Sequence, residues 1–386
     1  MKIVLAPNAF KGSLTAAEAA LAMETGIKKI LPRAEVVRVP VADGGDGLVD
    51  VAVEALNGEI RTLFVSGPLK GKGRIEANYA YVKSLNLVTV EMALASGLAL
   101  LPKELQDPTQ TTTFGTGELI KAGLDLGAKE INVGIGGSAT NDGGIGMAQA
   151  LGVLFLDKDG RELPGIGESL AAIAKIDISG LDSRIKATTI KAVCDVENRL
   201  CGPQGAAFIY GPQKGATPKQ ILELDDGLKN LAQRIKIDLG IDVANMPGAG
   251  AAGGLGAGLH AFLGAQLCRG IELIFALVGL DEKLAGADLV LTGEGQIDFQ
   301  TVFGKAPGGV GAAAKAQGIP CFAIAGSIGK ELGDLHESGI NAIFSLCPGP
   351  ISLAESIKLS RENLVRVTEQ ALRAFLAGRR LRYGHE

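Results

Sequence analysis

Five stretches of this 386-residue chain are unusually polar and glycine-rich, and a sixth sets an aspartate just past a strand. Pro7-Asn8-Ala9-Phe10-Lys11-Gly12-Ser13 sets a lysine just beyond a short apolar run. A cation there can hold an anion, helped by the free backbone amides of a helix start. Ser13 is a further contact for substrate or phosphate, although helix capping explains either Ser13 or Thr15. Asp43-Gly44-Gly45-Asp46-Gly47 puts two carboxylates among three glycines, a pattern that lets them approach a cation or hydroxyl closely; a helix N-cap accounts for one of them. Gly134-Ile-Gly136-Gly137-Ser138-Ala-Thr140-Asn141-Asp142-Gly143-Gly144 carries more glycines than one turn requires. Such a loop leaves N–H groups accessible to phosphate oxygens. Ser138 and Thr140 add hydroxyls, and Asn141 or Asp142 can cap the helix that follows.

A second glycine cradle spans 247–258 and includes Gly253 and Gly254, with close packing of a helix on a sheet as the competing explanation. Thr292-Gly293-Glu294-Gly295-Gln296-Ile297-Asp298 is followed by Gly304-Lys305-Ala306-Pro307. Acids at a strand end and a lysine before a glycine-rich helix suit Mg²⁺ and nucleotide phosphates. The sixth place is Cys194-Asp195-Val196-Glu197-Asn198, with Asp195 just past another strand.

Several chemistries are disfavoured. No GxxxxGK[ST], HRD or DFG pattern occurs, and no GxGxxG follows the first strand. The three histidines, His260, His336 and His385, give weak support to a Ser-His-Asp hydrolase or a histidine metal site. The five cysteines include no CxxC pair, so neither a disulfide framework nor structural zinc is expected. A net charge of −4 and 4% aromatics, without tryptophan, argue against a nucleic-acid partner. The stretch 243–268 lacks formal charge, but its glycines and Pro247 argue against a membrane span. The first apolar run is too short for a signal peptide, so a cytoplasmic protein is expected.

The elements that must position these residues follow doubly wound grammar. A buried strand at 2–6 leads through the Thr15/Glu18 capping box into a helix. A strand at 35–41 then leads through 43–47 into a helix at 48–56. Strands at 61–65, 73–82 and 87–91 follow without intervening helices and suggest a local antiparallel sheet. Helical pattern returns at 112–127, and strands at 130–134 and 191–194 precede an amphipathic helix at 221–239. Strands at 288–291, 321–325 and 342–346 resume the first pattern and end in a helix near 361–377. The expected fold is α/β: a flavodoxin-like parallel-sheet domain from 1–62 and 286–386, with an inserted mixed α/β domain at 63–285 and the active site in the cleft between them.

The segments PNAFKGSLTAAEAA, PVADGGDG, QDPTQTTTFGTGELI, GIGGSATNDGG, GPQKGA, PGAGAAGGLGAGL and LTGEGQID with GKAP occur in this order along nearly the whole chain. Together they resemble the bacterial type of glycerate kinase, typified by enzymes of the glyoxylate and galactarate pathways. The resemblance implies phosphorylation of D-glycerate by ATP with Mg²⁺, commonly to the 2-phosphate, by two α/β domains with the site between them. Two positions depart from the family pattern. Asn8 stands where an acid is usual, and Arg199 follows Asn198 where Asn-Pro is common.

On that reading, Gly136, Gly137, Ser138, Asn141 and Asp142, with Gly253, Gly254 and Ser13, bind substrate or phosphate. Lys11 and Lys305 neutralise oxygens of ATP or glycerate. Glu294 and Asp298 hold Mg²⁺ directly or through water, and Asp195 is the base for the glycerate hydroxyl, with Asp43 as its rival. The competing class is a non-catalytic sugar-acid binding protein, which would have no need of the acids at 43, 46, 195, 294 and 298. The oligomeric state is left open.

Overall fold

The computed structural model describes residues 1–42, 47–298, 301, 305–330 and 332–383. In chain order, the strands among them are β1 (Lys2–Pro7), β2 (Glu35–Arg38), β3 (Glu59–Ser66), β4 (Arg74–Val82), β5 (Leu87–Glu91), β6 (Glu130–Gly134), β7 (Leu154–Leu156), β8 (Lys175–Asp177), β9 (Thr189–Val193), β10 (Gln266–Cys268), β11 (Leu289–Ile297), β12 (Cys321–Ile328) and β13 (Ile340–Ser345). The chain divides into two compact units, Met1–Asp43 with Ile271–Glu386, and Gly44–Gly270.

The first unit is built on a five-stranded sheet in the order β13-β12-β11-β1-β2, parallel throughout. Both of its faces are covered. Ile3 and Leu5 pack with helices Ala16–Ile30 and Ser360–Tyr383. Helix Ala306–Ala316 lies against the sheet through β1, β11 and β12. A strand buried on both faces reads as a continuous apolar run rather than an alternating one, which is why KIVLAP has no polar member after Lys2. Thr15 and Glu18 form the expected capping box: Thr15 Oγ1 accepts from the Glu18 N–H (3.2 Å), and Glu18 Oε2 accepts from the Thr15 N–H (2.9 Å).

The second unit holds a six-stranded sheet, β10-β9-β6-β5-β4-β3, and a short β7–β8 hairpin. The expected antiparallel run is present as β3–β4–β5, but it is not a separate sheet. β5 pairs in parallel with β6, β6 with β9, and β9 with β10, which makes the sheet mixed. Helix Pro218–Leu239 starts at a second capping box, Thr217 with Gln220, and buries Leu224, Leu228, Leu231 and Ile235 at helical spacing.

One expected boundary is wrong. The strand predicted to stop at Leu291 continues to Ile297, paired with β12 as far as Ile297↔Ile328. The glycines there are not loop signals. A Cβ at Gly293 would lie 2.2 Å from the Ile324 carbonyl oxygen, so glycine lets the adjacent strand approach. Among the described residues, no helix is long and apolar enough to cross a membrane. All five cysteines are free thiols.

Candidate active site

In open parallel sheets, ligands collect beyond the carboxyl ends of the strands. In the first unit, β1 and β11 present polar groups at those ends. Asn8 is buried: its N–H donates to the Gly293 carbonyl (2.8 Å), and its Oδ1 accepts from the Ala9 N–H (2.7 Å). Phe10 and Leu14 close a tight loop that leaves the Lys11 side chain at its exposed tip. Thr15 supplies the helix cap, so Ser13 is not needed for that role. The Ser13 hydroxyl oxygen is buried and has no hydrogen-bond partner among the described residues.

Glu294 lies within β11 rather than on a loop beyond it, and its side chain is buried. Thr301 ties it to Asp298. The Thr301 hydroxyl donates to Glu294 Oε1 (3.0 Å) and accepts from the Asp298 N–H (3.2 Å). Gln296 Nε2 donates to Asp298 Oδ2 (3.3 Å), and Lys305 Nζ stands 3.6 Å from Asp298 Oδ1. Lys305 also occupies the N-cap position of helix Ala306–Ala316. Glu294, Asp298 and Lys305 thus form one group, with Thr301, which no motif marks, as its link. Among the described residues, no cluster of three or more His, Cys, Asp and Glu side chains is placed to hold a metal.

In the second unit, the loop at 136–144 divides into two parts. Residues 136–138 are partly or fully exposed. Ser138 faces Gly97 in an isolated antiparallel bridge, which uses the Gly137 carbonyl and the Ala139 N–H. No hydrogen bond among the described residues engages the N–H groups of Gly136, Gly137 or Ser138. These three amides remain available to an anion.

The second part is sealed. Thr140, Asn141 and Asp142 are fully buried. Asp142 Oδ2 accepts from the Thr113 N–H and hydroxyl (both 2.8 Å) and from the Gly146 N–H (3.3 Å), while Oδ1 accepts from the Gly144 N–H (3.0 Å). Burial pushes the Asp142 carboxyl above its ordinary range, against the opposing pull of these four bonds. The amides at the start of helix Ile145–Ala150 are therefore used by Asp142 and do not face a ligand. Neither Asn141 side-chain atom finds a hydrogen-bond partner among the described residues. Gly253 and Gly254 are buried against this loop, and a Cβ at Gly253 would lie 1.9 Å from the Thr140 carbonyl oxygen. Here glycine serves close packing.

Lys214, from the GPQKGA segment, was not singled out from the sequence. Its side chain is buried, and Nζ donates to the Thr140 carbonyl (2.7 Å). Burial pulls its pKa down to about 7, with Asp142 acting in the opposite direction. Between about 7 and the unfolded value near 10.4, the unfolded chain holds a proton that the folded chain lacks. Stability must therefore rise with pH across that window, and the cost of the buried charge is fully present below it. We predict that Lys214→Met removes this dependence. In urea titrations, the stability of wild type relative to the variant should rise by about 2.7 kcal/mol between pH 6 and pH 9. A gap that stays constant would exclude the lysine as its source.

Asp195 lies two residues past β9, is exposed, and accepts from the Gly270 N–H at Oδ1 (2.8 Å). Nearby, Asn198 Oδ1 accepts from the Tyr210 hydroxyl (2.6 Å), and Arg199 donates to Asn245 Oδ1 (3.2 Å). Glu91, at the end of β5, also escaped the sequence reading. It is buried and accepts from the Val49 N–H at Oε1 (2.8 Å), which caps the helix Leu48–Leu56. Since β5, β6 and β9 are parallel neighbours, Glu91, the loop at 136–138 and Asp195 follow the same ends of adjacent strands. Asp43 and Asp46 lie outside the described residues.

The first unit thus offers an exposed cation, a buried carboxylate joined through the Thr301 hydroxyl to the Asp298 backbone, and a second lysine beside the Asp298 carboxylate, and the second unit offers open amides and an exposed carboxylate. Cations and open amides of this kind can bind anions. Residues 3–376 match the model of the glycerate kinase family. A glycerate kinase from Halalkalibacterium halodurans is 49% identical over 356 residues, covering 92% of this chain and 93% of its own. Glycerate 2-kinase from Escherichia coli K12 is 46% identical, covering 98% and 99%. A crystal structure of a provisionally assigned glycerate kinase 2 from Salmonella typhimurium LT2 superimposes with a TM-score of 0.91 at 46% identity, over 98% of this chain and 99% of that one.

Proposed function

The chain belongs to the glycerate kinase family, and on that premise we propose that it transfers the γ-phosphoryl group of ATP to a hydroxyl of D-glycerate, giving 2-phosphoglycerate. The regiochemistry rests on the likeness to the Escherichia coli glycerate 2-kinase, at 46% identity over nearly the whole chain. The observation that carries the site assignment is the buried Glu294 carboxylate, tied by the Thr301 hydroxyl to the backbone of Asp298, whose own carboxylate stands beside Lys305, because an acceptor-only binding protein needs no such group.

Phosphoryl transfer demands positioning and neutralisation of charge more than covalent chemistry. In this reading, the open amides at 136–138, with the Ser138 hydroxyl, hold an anionic group of the acceptor or donor. Lys11 and Lys305 neutralise phosphate oxygens. Asp195, exposed and fixed in orientation by the Gly270 N–H, takes the proton of the attacking hydroxyl. Glu294 and Asp298 would hold Mg²⁺. Among the described residues no third acid joins them, which fits this ion, since it commonly takes one or two carboxylates from the protein and keeps water and phosphate as its other ligands. When bound, Mg²⁺ would shield the charge of the phosphate chain.

Incubation with ATP, Mg²⁺ and D-glycerate should release ADP, and phosphorus NMR of the product should show the 2-phosphate. Binding without ADP release would favour a sugar-acid binding protein. Lys11→Ala should lower kcat/KM at least about tenfold, or about 1.4 kcal/mol of transition-state stabilisation. Unchanged steady-state kinetics would remove Lys11 from the site, and Asp195→Asn with wild-type kcat would end the base assignment.

A further inference from the structure

We infer that a hollow in the first unit, between the Lys11 loop and the helix Leu353–Lys358, seats the nucleoside of the phosphoryl donor. This rests on the kinase reading and deepens it. The hollow encloses about 360 Å³, within the range of small-molecule sites. It lies at the carboxyl ends of β1, β11 and β12, where Phe10, Gly295 and Gly326 line it.

Its composition selects between the two substrates of the reaction. Phe10, Leu346, Ile351, Leu353 and Ile357 make it largely apolar. Leu353 is 77% exposed, and Ile351 and Ile357 are also open to water, so the free protein leaves apolar surface uncovered at this spot. Glycerate, a three-carbon hydroxy acid, has no apolar face to offer such a wall. A purine base has two flat faces and a polar edge. Lys11 is the one cation lining the hollow, and no acid lines it among the described residues, so a phosphate chain leaving it meets attraction without repulsion. Ser13 also lines the hollow, and its buried hydroxyl oxygen has no hydrogen-bond partner among the described residues.

Cys347 supplies a reporter. Its thiol is exposed on the lining and donates to the Gly326 carbonyl (3.4 Å), whereas Cys321 is fully buried and serves as an internal reference. The experiment is alkylation of the full chain with iodoacetamide, read for each cysteine by peptide mass spectrometry. ATP or adenosine at ten times its Kd should slow Cys347 modification about tenfold, as expected for simple occupancy. D-glycerate alone should leave the rate unchanged. Ile357→Trp, which fills the hollow, should raise the KM for ATP at least about tenfold with the KM for glycerate unaltered. Undiminished alkylation under saturating ATP, or protection by glycerate alone, overturns the nucleoside assignment. If the same wild-type preparation still makes ADP and phosphoglycerate, the kinase reading survives that loss; if it makes neither, the kinase reading falls separately.

Discussion

Asp142→Asn should be among the most destabilising conservative changes in this protein. Asp142 is fully buried and faces donors only: the N–H groups of Thr113, Gly144 and Gly146, and the Thr113 hydroxyl. That hydroxyl has no freedom to turn, because its oxygen already accepts from the Met147 N–H (2.8 Å) and its hydrogen must go to Asp142. A carboxyl group can accept on both oxygens. An amide of the same shape accepts on one and points N–H groups at donors on the other side. At least one buried donor loses its partner whichever way the amide is turned, at about 1–3 kcal/mol for each unsatisfied group plus the repulsion between facing donors. We expect a total near 3 kcal/mol, and a thermal midpoint lower by at least about 6 °C for a unit of this size. Calorimetry of the purified variant checks this, and a midpoint within a degree or two of wild type would show that the network is not what holds the loop. Loss of this anchor should also loosen the amides at 136–138, so the KM for glycerate should rise in whatever fraction of the variant stays folded.

Glu294→Gln should leave the fold nearly intact and remove most of the activity. Glutamine keeps the volume and one oxygen that can accept from Thr301, so the buried strand loses little packing. What disappears is a negative charge that, in the proposed function, faces a divalent cation. A drop in kcat of about a hundredfold, or about 2.7 kcal/mol, is the expected result. The Mg²⁺ concentration needed for half-maximal rate should increase at the same time. Asp298→Asn should have a smaller effect, since Lys305 and Gln296 already engage that carboxylate. Wild-type kcat at ordinary Mg²⁺ in the Glu294 variant would separate this carboxylate from the reaction, and a collapsed thermal midpoint would recast it as a purely structural group.

At 292–298 and at 136–144 the sequence predicts glycine-rich loops following strands. At 292–298 the glycines belong to the strand itself, because the cost of glycine in a strand is offset when a neighbouring backbone needs the space of a missing Cβ. Nothing local separates that use from a turn, since the deciding atom, the Ile324 carbonyl oxygen, is about thirty residues away in the chain. At 136–144 the strand and the loop were legible, but the division into an exposed and a sealed half was not. It depends on Thr113, Lys214 and Gly253, which approach from three other segments.

Periodicity, capping boxes and runs of buried-strand composition determined the α/β class, the capped first helix and most strand positions, because those features depend on residues within one or two turns of each other. The ordered motifs determined the family for the same reason: each is a contiguous string that needs no partner to be read. Tertiary structure decided which polar residues are accessible and which are consumed in holding the fold. Asp142 and Ser138, four residues apart on one loop, have opposite fates. Whether a side chain keeps its hydrogen-bonding capacity for a ligand depends on which distant donors reach it first, and that follows from packing rather than from local sequence.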